Sequence, residues 1–303
     1  MSRRPLAGAL AGAVAISFSA IFFALSEVAP LSGAFYRMAY ALPVLGFLWL
    51  RHRGVDRRTG RDRLLAAVAG SLLALDVIAW HASIGYIGAG LATLIANSQV
   101  VIVPLVTWAI FGERPAPSAL WAMPVVMLGL ALITGLGRTD AFGSRPVLGV
   151  GLAVAAAALY SGFLIAYRRS NRALAHASGP LLDATAGAAL IALAAAALVG
   201  GADLLPTWPA HGWLLLLALS AQVGGWLAIG YALPRLPAAQ TSFAIVLQPC
   251  LTLLWGGIIF GERPSWVQGA GVALVLAGIA LAVTGGARTG LVRTATSAPA
   301  PSG

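Results

Sequence analysis

The chain has 303 residues, 59% hydrophobic and only 9% charged, where an average soluble domain is about 45–50% apolar and about 25% charged. With a mean hydropathy of +0.89, too few charges remain to cover the apolar surface of a water-soluble globule. This excludes a large soluble enzyme domain, a disulfide scaffold, a fibre and a disordered chain, and leaves an integral membrane protein. The net charge of +10 comes from 19 basic residues, all arginine. In a soluble protein it would suggest nucleic acid. Here no soluble domain exists to hold one, so no nucleic-acid partner is expected. Cys250, the single cysteine, allows no intrachain disulfide and no cysteine-based metal site.

Ten apolar runs approach the roughly 20 residues that a spanning helix needs. In chain order they are 6–25, 31–50, 64–84, 89–111, 118–136, 147–167, 180–200, 211–231, 238–260 and 266–285. The first follows Arg3-Arg4 and could pass for a secretory or twin-arginine signal. It is longer than an h-region of about 7–15 residues and leads into more membrane sequence, so it reads as a first span. The runs are continuously apolar rather than alternating, which excludes a closed β-barrel. The tail from 288 to 303, rich in Ala, Thr, Ser and Pro, reads as a disordered end.

With the N-terminus placed in the cytoplasm, fifteen arginines fall in cytoplasmic loops and termini and three (Arg138, Arg145, Arg263) outside, while Arg37 lies within a span. That bias puts both termini in the cytoplasm and supports an even count of ten crossings. The basic stretch 51–63 serves as a topology signal, with anionic lipid headgroups as a secondary contact.

Residues 111–115 and 260–264 both read Phe-Gly-Glu-Arg-Pro, an offset of 149. At the same offset Gln99 matches Gln248, Leu105 matches Leu254, Ile110 matches Ile259 and Gly129 matches Gly278. Glutamate occurs three times in the whole chain, so the repeated pentapeptide marks two five-helix halves, 1–140 and 141–287. Five is odd, so the halves insert with opposite orientation. Such inverted repeats are a recurring plan of secondary transporters.

On these residues the chain resembles the ten-helix EamA-like branch of the drug/metabolite transporter superfamily. The resemblance rests on Gly-Glu-Arg-Pro ending the fourth and ninth helices, on Gln248-Pro249, and on Pro30 with Arg37 around the second helix. The first half departs by carrying Gln99-Val100 in place of Gln-Pro. The resemblance implies an all-α membrane protein with a central cavity lined mainly by helices 1, 3, 4, 6, 8 and 9. It further implies a small-molecule substrate, a lipid bilayer as surroundings and no cofactor.

Asp76 lies about twelve residues into the third span. An aspartate at a helix centre costs about 2.5–3.5 kcal/mol on insertion scales and needs a cavity or a partner. Trp80 shares its face four residues on. An acid beside an aromatic wall suits an amine-bearing substrate, and burial would make it a proton-coupling group; a permanent pair with Arg37 or capping by neighbouring hydroxyls is the structural alternative. At offset 149 Asp76 faces Gly225. Arg37 reads as a snorkelling structural residue or a gate. The repeated amides Gln99 and Gln248 serve helix–helix bonds or the cavity. Gln222 and Trp226, at i and i+4 on the eighth helix, make a polar–aromatic cavity wall; Tyr160 on the sixth helix, with Ser17 and Ser19 on the first, is a separate and weaker candidate.

Glu113-Arg114-Pro115 and Glu262-Arg263-Pro264 join two helices each. There the glutamate should sit at the positive N-terminus of the helix that follows, as a scaffold turn or a gating contact. No Walker loop, no metal-ligand cluster and no nucleophile with its base is visible. The resulting expectation is no catalytic residues, no metal, and a secondary transporter of the inner membrane that moves a small metabolite. An amino acid or related amine, exported by alternating access, is the leading substrate class. A broad-specificity drug exporter, an uptake facilitator or a non-transporting accessory protein are the alternatives, and a homodimer stays open.

Overall fold

The computed structural model describes residues 3–134, 145–172, 176–199, 205, 207–261 and 263–296, with side chains left aside at 3, 89, 90 and 284–296. Ten apolar helices run in chain order among these residues. They are α1 (Arg4–Ser26), α2 (Pro30–Val55), α3 (Gly60–Gly88), α4 (Leu91–Phe111), α5 (Pro117–Ile133), α6 (Pro146–Ser170), α7 (Ser178–Val199), α8 (Ala210–Arg235), α9 (Ala238–Phe260) and α10 (Trp266–Val283). Nine are long and apolar enough to cross a membrane, and α5 is shorter. A helix satisfies its own backbone in lipid, so a chain this apolar has few other options.

Local chemistry sets the ends. Pro30, Pro117 and Pro146 open their helices, where the missing N–H is one that would have had no partner. Thr59 and Asp62 form a capping box at the start of α3. The turn between α3 and α4 is made at Gly88, whose φ of 76° suits a residue without a Cβ. The tenth helix continues in backbone to Thr296, past the expected end at 285 and into the stretch read as a disordered tail. No proline occurs there before Pro299, so every residue of the stretch keeps the N–H that a helix needs.

The 149-residue offset reappears as geometry. The α4 segment breaks between Ala96 and Gln99, and the α9 segment breaks between Ile245 and Leu247; the joints Asn97 and Val246 are related by that offset. Both pentapeptides turn the chain at a left-handed glycine, Gly112 at φ 67° and Gly261 at φ 69°. In the α5–α10 contact Gly129 lies against Val275 and Gly278 lies against Val126. Each contact is the image of the other under the offset, as a pseudo-two-fold axis requires.

The halves interlock rather than stand apart: α3 packs on α6 and α7, α1 packs on α8, and α5 packs on α10. One hydrophobic core joins α2, α3, α6, α7 and α8, and a second joins α4, α5, α9 and α10. Small residues let α3 and α7 touch backbone to backbone. A Cβ at Gly70 would meet the carbonyl of Ala184, and one at Gly187 the carbonyl of Ala67. Small-residue contacts of this kind are how helices associate where lipid supplies no hydrophobic drive.

Candidate functional site

Five helices of the first core place polar side chains together inside the membrane-spanning region. Arg37 of α2 donates from Nε to Oε1 of Gln222 on α8 at 3.0 Å. Gln222 donates from Nε2 to Oγ1 of Thr185 on α7 at 3.1 Å. Gln222 can reach both because the middle of α8, Ala218–Gly225, is wound as a π-helix, a local widening common at functional positions. Tyr160 of α6 lies within electrostatic reach of both Arg37 and Asp76 of α3. Gln222 and Thr185 are fully buried, Asp76 is 9% exposed, and Arg37 and Tyr160 are half-buried, so the cluster keeps an accessible side.

Arg37 and Asp76 form no ion pair with each other, and among the described residues Asp76 accepts no hydrogen bond. The permanent Asp76–Arg37 pair considered from the sequence is therefore not formed. The cluster also draws on α2 and α7, beyond the six helices that the resemblance implied. Thr185 carried no sequence signal, since a threonine in an alanine-rich helix is indistinguishable from a packing residue.

The remaining candidates separate. Trp80 is half-buried one turn from Asp76, with its Nε1 unpartnered, and packs edge-on to His81. Trp226 is 2% exposed and packs edge-on to Phe163 and Tyr167 of α6, with its Nε1 unpartnered. Gln99 is fully buried and donates to the carbonyl of Ser242 on α9 at 3.4 Å; its Oε1 has no partner. Gln248 is half-buried. Gln99 thus ties α4 to α9, the helix–helix role weighed for it.

The first repeated turn corrects an expectation. Glu113 does not cap the helix that follows it. Its Oε1 instead accepts from the backbone N–H of Ala238, the first residue of α9, at 2.7 Å. Its carboxylate also pairs with the guanidinium of Arg168 on α6. An N-terminus across the bundle offers the same positive field as the adjacent one, and the left-handed turn at Gly112 points the chain that way. Arg114 and Arg263 are exposed. Glu262 lies outside the described residues.

Two five-helix halves, a pseudo-two-fold contact and a polar cluster inside an apolar bundle are what a transporter built from repeats requires. Residues 5–135 and 147–284 each match the EamA-like transporter family. The chain belongs to that family. Within the drug/metabolite transporter superfamily this makes it a multi-pass membrane transporter and not an enzyme. An uncharacterised transporter of Archaeoglobus fulgidus is 25% identical over 269 residues, covering 88% of this chain and 91% of the relative. A crystal structure superposes with a TM-score of 0.74 at 19% identity, covering 93% of this chain and 97% of the other, so the two chains share a fold.

Proposed function

We propose that this EamA-like transporter carries a small amino-acid-like zwitterion out of the cytoplasm by alternating access. One observation carries the reading. Arg37 and Asp76, of opposite charge, line one cluster beside Tyr160 without pairing. Two charges inside a membrane protein are costly when each lacks a counter-ion. A ligand bearing a carboxylate and an ammonium supplies both: the carboxylate to Arg37, the ammonium to Asp76 and the neighbouring Trp80 ring. Gln222 and Thr185 hold Arg37 in place. Asp76 is also the proposed proton-coupling group, so Asp76→Asn should abolish pH-dependent flux.

The arginine bias supports placing Arg4, the end of α4 and the start of α9 on the cytoplasmic side of the inner membrane. The small-molecule substrate and the bilayer suffice for this reading, and a homodimer is not needed.

The test is a ligand-induced thermal shift of the protein in liposomes across amino acids, polyamines and nucleosides. Wild type is compared with Asp76→Asn and Arg37→Gln. A shift by a zwitterionic amino acid that disappears in both variants supports the reading. A polyamine shift that needs Asp76 but not Arg37 overturns the zwitterion and keeps the amine. A shift that survives both substitutions moves the site elsewhere, with Gln99 and Gln248 the next residues to replace.

A further inference from the structure

Tyr160, Leu164 and Arg168 succeed one another at four-residue intervals on α6, so they share one face over two turns. Tyr160 belongs to the polar cluster. Leu164 and Arg168 line a small cavity with Val103 and Thr107 of α4 and Thr241 and Ser242 of α9. Arg168 closes that cavity. Its Nε donates to the carbonyl of Leu233 and its Nη2 to the carbonyl of Leu236, both at 2.9 Å. Its Nη1 and Nη2 both reach the Glu113 carboxylate, which also holds the N–H of Ala238 at 2.7 Å. One ion pair thereby fastens the end of α4, the end of α6 and the α8–α9 turn, and so joins the two halves at one face.

Among the described residues the opposite face shows no copy of this device. The position 149 residues before Arg168 is Ser19, whose hydroxyl is buried without a partner. In its neighbourhood the contacts are aromatic: Phe18 stacks on Phe22 and Trp255, and Phe22 stacks on Trp213. The repeat thus supplies two similar exits, and the side chains close them with different chemistry.

We propose that Arg168 is the gate of the face that carries Arg4, and that its release from Glu113 opens the cavity under the polar cluster to that side. The inference goes beyond the substrate reading and does not depend on it. Paired, the guanidinium is held by Glu113 beyond α4 and by the carbonyls of Leu233 and Leu236 at the end of α8, and the path is shut. Released, it keeps only the carbonyls of Leu233 and Leu236, and α6 loses its tie to the end of α4. Removing one member of the pair then shifts the equilibrium toward the open form by the free energy that the pair contributed to the closed one.

The test needs no substrate. Thr241→Cys in a Cys250→Ala background is labelled with a membrane-impermeant maleimide in right-side-out and inverted membrane vesicles. Arg57→Cys in parallel vesicles identifies which preparation exposes the Arg4 face. Arg168→Gln and the near-isosteric Glu113→Gln should each raise the labelling rate of Cys-substituted 241 by about tenfold or more, only from the Arg4 face, with a cooperative melting transition retained. Unchanged labelling in both variants overturns the gate. So does a rise from both faces, or one that accompanies loss of cooperative melting, which is unfolding rather than opening.

Discussion

Arg37 and Asp76 both lie within electrostatic reach of Tyr160 and do not pair with each other. Arg37 donates to a neutral amide, and Asp76 accepts nothing among the described residues. If the arrangement served stability alone, the two charges would be expected to meet or to be replaced by apolar residues. It costs stability in the empty protein instead, and this has a measurable consequence. Asp76→Asn should leave the ligand-free protein at least as stable as wild type, with a gain of up to about 1–3 kcal/mol, the scale of an unsatisfied buried polar group. Thermal denaturation in detergent without added ligand measures it. A clear loss of stability would mean that Asp76 has a structural partner.

Gln222 makes the opposite prediction. It accepts from Arg37 and donates to Thr185, so Gln222→Leu removes both bonds and leaves Arg37 without its acceptor. The expected cost is about 1–3 kcal/mol. Gln222→Glu instead offers Arg37 a carboxylate of similar shape. It should melt no lower than wild type yet lose response to any ligand that needs the guanidinium. A variant that is both stable and fully responsive would remove Arg37 from the site.

The ten spans and the repeat were legible because hydropathy over twenty residues and a five-residue identity are strong, local signals. Arg37, Asp76 and Gln222 stood out because polar side chains are rare in such runs. Thr185 and Arg168 did not. The first is an ordinary helix residue until the π-turn of α8 brings Gln222 against it. The second counted among fifteen arginines that set topology, and its partner Glu113 is 55 residues away. Glu113 itself was assigned to the wrong helix because a capping argument considers the next N-terminus in sequence, while the bundle brings a different one closer.

The α3–α7 crossing gives a packing prediction. The Cβ of any residue at 70 would fall 1.6 Å from the Ala184 carbonyl oxygen, and at 187 it would fall 2.1 Å from that of Ala67. Backbone cannot move aside as a side chain can, so Gly70→Val should separate the helices and cost more than the roughly 1–3 kcal/mol of ordinary overpacking. Gly46, with nothing near its Cβ position, is the control, and Gly46→Ala should be neutral or stabilising. Size-exclusion profiles and melting temperatures of the two variants separate these outcomes. Equal behaviour would mean that α3 and α7 are not held in contact.

Asp56, at the other end of α2, ties the Arg4 face together and predicts how stability responds to pH. Its carboxylate accepts from Nε and Nη2 of Arg58, both at 2.9 Å, and from the indole of Trp49 at 2.8 Å. Arg58 in turn reaches Asp183 of α7 at 2.7 Å. Hydrogen bonds from the Arg58 guanidinium hold the Asp56 carboxyl well below the usual carboxylate range, more than offsetting its burial. In the unfolded chain it titrates near about pH 3.9. A depressed folded value means that the contribution is fully present above the unfolded value and fades as pH falls below it toward the folded one. Asp56→Asn should therefore lower stability at pH 7 by about 1.5–3 kcal/mol, the range for hydrogen bonds to charged groups. The gap to wild type should narrow steadily below about pH 4. Melting temperatures of both proteins from pH 7 to pH 3 give the comparison, since acid effects elsewhere in the chain act on both alike. A gap that stays constant over that range would show that Asp56 contributes shape and not charge.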